Sequence, residues 1–220
     1  MLCLWQASQA TEQRKPFFVR STVFSQRCHN KSSSDACFLG HPASVLLTAG
    51  SSSVDYNLGL WDTFLPTNRA LVHSWIAHPE GATCALYVPN QQTIISGGRH
   101  GEICLWDIRQ RQLRQTIKAF DQMHIVKTLA TDSTQDLIVS GSSEGDIKIW
   151  SADSTPQLMY NLPGEYTAKG EFSFRKEVGQ SSVQGVQQLF ADQNMRLFSC
   201  GADASLKFRT LPSISPGAGS

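Results

Sequence analysis

The chain has 220 residues, with 40% hydrophobic and 17% charged, a length that can bury a sizeable core and a balance ordinary for a globular domain. A formal net charge of +1 argues against a surface dedicated to nucleic acid, which needs a clustered excess of Lys and Arg. The opening Met1-Leu2-Cys3-Leu4-Trp5-Gln6 has no basic lead and too short an apolar stretch for a signal peptide, and nowhere do the roughly 18 apolar residues of a membrane span run together.

In chain order, Leu2-Cys3-Leu4-Trp5 reads as the end of a strand, and Pro16 to Phe24 as the outer strand that follows it. His29 then precedes a unit with an inner strand from Asp35 to Leu39, a strand Leu46-Leu47-Thr48-Ala49-Gly50, a strand ending at Trp61 and an outer strand from Ala70 to Ile76. The grammar repeats as Ala82 to Val88, Thr93 to Ser96, the turn Gly98-Arg99-His100-Gly101, Ile103 to Asp107 and Leu113 to Ala119. β-Branched and large apolar residues flanking a glycine turn are the signature of a hairpin. A third unit has Ile125 to Ala130, Leu137 to Ser140, a turn over Ser142 to Gly145, Ile147 to Trp150 and Gln157 to Leu162. After a long connection from Pro163 to about Gln180, Leu197-Phe198-Ser199-Cys200-Gly201 opens the hairpin of a last unit that finishes near Thr210. Residues 211–220 read as a loose tail.

The units share one register. Counting from the hydroxyl residue, ten positions reach Trp106, Trp150 and Arg209, and thirteen reach Trp61 across a longer first turn. Trp61 to Trp106 is 45 residues and Trp106 to Trp150 is 44, the period of a four-stranded propeller blade. The expected fold is an all-β propeller of about four blades plus a partial one, divided as residues 1–28 (end of a preceding blade), 29–210 (four blades) and 211–220 (tail). Trp5 implies an earlier blade, so a larger ring is expected; closure of a four-bladed ring by Pro16 to Phe24 is the alternative.

These residues resemble the WD repeat, in which a His, a Ser or Thr, the Trp and a turn Asp form a buried hydrogen-bond network. Position by position, the first blade offers His29, Thr48, Asp55 and Trp61. The second offers His78, Ser96 and Trp106, but His100 in the turn, so its network is expected to be incomplete. The third keeps Ser140 and Trp150, with Glu144 as turn acid and Phe120 where the histidine belongs. The last keeps Ser199 and Asp203 but has Arg209 for Trp and Ala204 for the turn glycine. Two longer runs, Asp107-Ile108-Arg109-Gln110-Arg111-Gln112 and Phe198-Ser199-Cys200-Gly201-Ala202-Asp203, are similar to the carboxy-terminal propeller of DmX-like proteins, also called rabconnectins. That resemblance implies a non-enzymatic cytoplasmic scaffold, peripheral to vesicles or endomembranes, that supports assembly of the vacuolar proton pump (V-ATPase), vesicle acidification or traffic. Its partners would be pump subunits or assembly factors and Rab regulators. WD propellers in general also serve as substrate-recognition modules of ubiquitin ligases, which is the alternative function.

His29, Thr48 and Asp55 contain the residue types of a nucleophilic triad, but their recurrence in register with members missing fits structural hydrogen bonding better than catalysis. His73 and His78 alone have zinc-like spacing, and no cysteine pair accompanies them. Cys3, Cys28, Cys37, Cys84, Cys104 and Cys200 are scattered without a CxxC pair and read as reduced core thiols. No catalytic, cofactor-binding or metal-ligating residue is assigned. Partner contacts are expected from Arg99, His100 and Glu144 on one rim, from the Arg109, Arg111, Arg114 run, or from the connection carrying Lys169, Glu171, Phe172, Phe174, Arg175, Lys176 and Glu177.

Overall fold

Because the apolar positions of each unit fall on both faces of its strands, no single sheet can bury them alone, and sheets must stack face to face. The computed structural model describes residues 2–5, 22–40, 44–52, 55–166 and 185–212. Strands β1 (Leu2–Trp5) and β2 (Thr22–Gln26) pair antiparallel with each other. The first full blade is β3 (Ser33–Phe38), β4 (Val45–Gly50), β5 (Leu58–Asp62) and β6 (Leu71–Trp75). The second is β7 (Ala82–Val88), β8 (Thr93–Gly98), β9 (Glu102–Asp107) and β10 (Gln112–Lys118). The third is β11 (Val126–Thr131), β12 (Leu137–Ser142), β13 (Ile147–Ser151) and β14 (Leu158–Leu162). The last has β15 (Val186–Ala191), β16 (Arg196–Gly201) and β17 (Leu206–Thr210). Each sheet is an antiparallel meander in chain order, and the fold is the expected all-β propeller architecture.

Register explains why the hydroxyl-to-tryptophan spacing recurs. In every blade the residue two before the hydroxyl faces the end of the third strand: Leu46 opposite Trp61, Ile94 opposite Trp106, Ile138 opposite Trp150 and Leu197 opposite Arg209. The longer first turn is absorbed between β4 and β5 without changing that pairing. Each inner strand also carries a bulge two residues into its length, at Ser33/Asp35, Ala82/Cys84, Val126/Thr128 and Val186/Gln188, which adds the local twist that propeller blades need. The outer strand β2 would have to join β17 in the four-blade closure; it pairs with β1 instead.

Three apolar cores lie between successive blades. Leu47, Leu58, Leu60 and Trp75 of the first blade pack on Ala85, Ile94, Cys104 and Trp106 of the second. Ile95, Ile103, Leu105 and Ile117 meet Phe120, Val126, Ile138 and Trp150 of the third. Val139, Ile147 and Ile149 then meet Tyr166, Leu189 and Leu197 of the last. One face of each blade therefore carries the tryptophan side of the network, and the other presents aliphatic residues to its successor.

The last blade keeps this aliphatic pattern on a face that is open. Leu206 and Phe208 occupy the register positions of Ile147 and Ile149, yet are 73% and 72% exposed where Ile147 and Ile149 are 1% and 5%. Phe190, Phe198 and Phe208 stand opposite one another across β15, β16 and β17, with ring centroids 6.4 and 6.2 Å apart. A contiguous exposed apolar face of this kind is sticky in water. Sedimentation of the isolated chain is expected to show concentration-dependent association that the Phe190→Ser, Phe208→Ser variant reduces; a monodisperse wild-type monomer at all concentrations would contradict this.

Candidate functional site

The polar groups singled out by sequence converge in pairs of adjacent loops and strands at one end of each blade. In the first blade Trp61 Nε1 donates to Thr48 Oγ1 at 2.9 Å, and His29 Nε2 lies 3.1 Å from the same oxygen. Thr48 Oγ1 also lies 3.4 Å from the Gly59 carbonyl, so the imidazole tautomer decides whether its one proton goes to that oxygen or to His29 Nε2. Asp55 does not complete the set: its carboxylate takes Asn30 Nδ2 at 3.1 Å and the Tyr56 backbone N–H at 2.8 Å. Burial holds the His29 imidazole below its ordinary pKa, against the opposing pull of the Tyr56 backbone and the Asp55 charge.

The second blade corrects the sequence reading. Trp106 Nε1 donates to Ser96 Oγ at 3.1 Å, Ser96 Oγ lies 2.9 Å from His78 Nε2, and His78 Nδ1 lies 2.6 Å from Glu102 Oε1. The network is complete, but the acid comes from the first residue of β9 rather than from the turn. His100 instead stays outside the network, its Nε2 buried 3.5 Å from the Glu80 carboxylate. Burial would raise the Glu102 carboxyl, but the hydrogen bond and charge of His78, with backbone N–H groups, outweigh it and hold the pKa below the ordinary value.

In the third blade Phe120 does take the histidine's place, packed under Lys148, whose Nζ is 5.0 Å from the ring centroid and donates to the Ala119 carbonyl at 2.6 Å. Ser140 still accepts Trp150 Nε1 at 3.1 Å; lacking an imidazole, it donates to the Lys148 carbonyl at 3.2 Å. Glu144 is exposed and offers its backbone N–H to Ser142 Oγ. In the last blade, Tyr166 occupies the histidine position, with its Oη 2.6 Å from Ser199 Oγ. Arg209 pairs with Glu165 at 2.6 Å and Asp203 accepts from Ser205, so an ionic cluster stands where an indole would be. Sequence reasoning missed Tyr166 because the long connection displaces it to 33 residues before the serine, against 18 to 20 for His78 and Phe120.

A second signal was available. The residue two after the hydroxyl is Gly50, Gly98 and Gly201 in the blades with His29, His78 and Tyr166, and Ser142 in the blade with Phe120. A Cβ on these glycines would stand 2.4 Å from the His29 ring, 2.3 Å from His78 Nδ1 and 2.0 Å from the Tyr166 ring. The glycine marks where a hydrogen-bonding ring crosses the strand.

Chemically, Glu102, His78 and Ser96 have the order of a nucleophilic relay, yet Ser96 is fully buried and its oxygen already holds the Trp106 indole. The thiols are equally withdrawn: burial pushes Cys37 and Cys84 up to about 12 and Cys104 up to about 11, so they stay protonated at neutral pH. His73 stands edge-on to Trp75 at 4.4 Å while His78 spends both ring nitrogens on the network. Of the arginine run, Arg114 is tied to Thr93 Oγ1 at 2.9 Å, and the Arg111 carbonyl accepts Trp75 Nε1 at 3.2 Å. His41 and the charged and aromatic residues from Lys169 to Glu177 lie outside the described residues.

Blades built on this repeated His/Tyr, Ser/Thr and Trp arrangement define a WD-repeat protein, and a family model described as "WD domain, G-beta repeat" matches residues 69–107 and 112–151. Each match begins at the outer strand of one blade and ends with the third strand of the next, so every sequence repeat ties two blades together. Within this class the chain is similar to DmX-like protein 1, at 40% identity to the Mus musculus protein and 39% to the Homo sapiens protein, over 84% of this chain and 6% of theirs. Elongator complex protein 2 of Saccharomyces cerevisiae is 27% identical over 61% of this chain and 17% of its own length. Among solved structures, the computationally designed Ika4 protein has a TM-score of 0.65 at 17% identity, covering 88% of this chain and all of that one, a likeness of fold alone. No helix among the described residues is long and apolar enough to cross a membrane.

Two outcomes follow from the geometry. Ser96→Ala strands both the Trp106 indole and His78 Nε2 and is expected to lower unfolding free energy by about 1–3 kcal/mol in urea titration, with the denaturant slope unchanged. Since the Glu102 carboxyl is depressed in the folded state, its stabilising contribution is present above the ordinary carboxylate range and is lost as pH falls through its folded-state value. Acid titration followed by tryptophan fluorescence should therefore show a shallower loss of stability in Glu102→Gln than in the wild-type chain, from a lower starting stability.

Proposed function

We propose that the chain is a non-enzymatic protein-interaction scaffold that supports vacuolar proton-pump assembly and vesicle acidification or traffic, acting in the cytoplasm at the periphery of endomembranes. The observation that carries the scaffold reading is that every hydroxyl of nucleophile type in the networks is buried against an indole or a tyrosine, so reactive groups are consumed in fixing the strands within each blade. What remains exposed is a rim of charged turns, the usual place for recognition on a rigid scaffold. The proton-pump assignment draws on the similarity to DmX-like protein 1; because the chain spans 6% of that protein's length, the whole protein's role is carried over as part of the proposal.

The division into residues 1–28, 29–210 and 211–220 belongs to the same proposal, as does membership of a larger ring. The open face of Phe190, Leu206 and Phe208 supports the ring, since it repeats the register of faces that are covered elsewhere. Affinity capture from cytosol with the 220-residue chain as bait is expected to recover proton-pump subunits or Rab regulators. Recovery of ubiquitin-ligase adaptors in their place would overturn it.

A further inference from the structure

We propose that the rim cleft between the first and second blades binds a carboxylate side chain of a partner protein, held between Lys31 and Arg99. This rests on the scaffold reading and names the chemistry of one contact within it. The cleft has a volume of about 480 Å³ and is lined by Lys31, Ser51, Glu80 and Arg99.

Its lining comes from two repeat positions in each of two blades. Lys31 and Glu80 each lie two residues after the blade histidine, and Ser51 and Arg99 each lie three after the blade hydroxyl. At the next junction the same positions in the third blade hold Gln122 and Ser143, both uncharged. Of these two junctions, the first alone places two cations from separate blades around one cleft.

Arg99 is anchored: its Nη2 donates to Ser51 Oγ at 3.2 Å, which fixes the guanidinium and leaves its other N–H groups for a planar acceptor. Among the described residues, neither Arg99 nor Lys31 has a carboxylate within 4.0 Å. Glu80, the one acid in the lining, is turned toward His100 at 3.5 Å. A concave cleft with one anchored guanidinium and an exposed ammonium, neither facing a carboxylate among the described residues, concentrates its field on an entering anion, and a partner's Asp or Glu fits that field with two acceptor oxygens.

The test is fluorescence anisotropy of a fluorescein-labelled hexaglutamate peptide titrated with the full chain at low ionic strength. Lys31→Glu, Arg99→Glu is expected to weaken binding at least about tenfold, and Glu80→Gln to tighten it about threefold, both effects fading as salt rises. Glu80→Gln should keep the wild-type thermal midpoint, and the double variant, which loses the single Arg99-Ser51 hydrogen bond, should shift it by no more than about 4 °C. Unchanged affinity in the double variant, weaker affinity in Glu80→Gln, or no saturable binding by the wild-type chain would overturn the assignment. Capture of pump subunits by the double variant at wild-type yield would also overturn it while leaving the scaffold reading standing.

Discussion

A buried indole N–H has to be given an acceptor, and the rest of this structure is arranged around that need. Trp61, Trp106 and Trp150 supply large apolar area between blades, but each brings one donor that costs free energy if left unpaired. A hydroxyl on the neighbouring strand accepts it in all three. The hydroxyl's own proton then needs an acceptor or its oxygen a second donor, which His29, His78 or a backbone carbonyl provides. Fixing those partners fixes the register between the second and third strands and positions the ring that crosses the following glycine. The blade that lost its tryptophan shows the same logic reversed: with no indole to satisfy, Ser199 turns to Tyr166, and Arg209 is held outside by Glu165.

Much of this was legible in the sequence because it is written by spacing. The ten-residue interval from Ser96 to Trp106 and from Ser140 to Trp150 follows from strand pairing and a short turn, and both strands lie where periodicity puts them. Two features were not legible. Glu102 was hidden because the acid was sought in the turn, whereas a side chain at the start of β9 reaches His78 just as well; what decides is three-dimensional reach, not repeat position. Tyr166 was hidden by the inserted connection, which breaks the spacing though not the contact. The glycine two residues beyond Thr48, Ser96 and Ser199 records the rings of His29, His78 and Tyr166 and is the more dependable marker here.

The division of labour between interior and rim follows from the same constraint. Residues that look chemically capable are buried and bonded to one another, while the charges free of a carboxylate partner lie in the loops between blades. Conversely, the apolar register that covers three interfaces continues onto a fourth face, where Phe190, Leu206 and Phe208 lie open beside a half-buried Phe198. Rigidity inside the blades and variability at their edges are two consequences of repeating one network four times with different substitutions.

The most direct measurement of the central claim is hydrogen exchange of the tryptophan indole N–H groups, followed by NMR in the intact chain. If the hydroxyl-indole bonds fix the strands within each blade, Trp61, Trp106 and Trp150 should exchange only by global unfolding, with protection that tracks the denaturant stability of the chain. Exchange of any of the three at the rate of a solvent-exposed indole, in a chain that remains folded, would contradict the account.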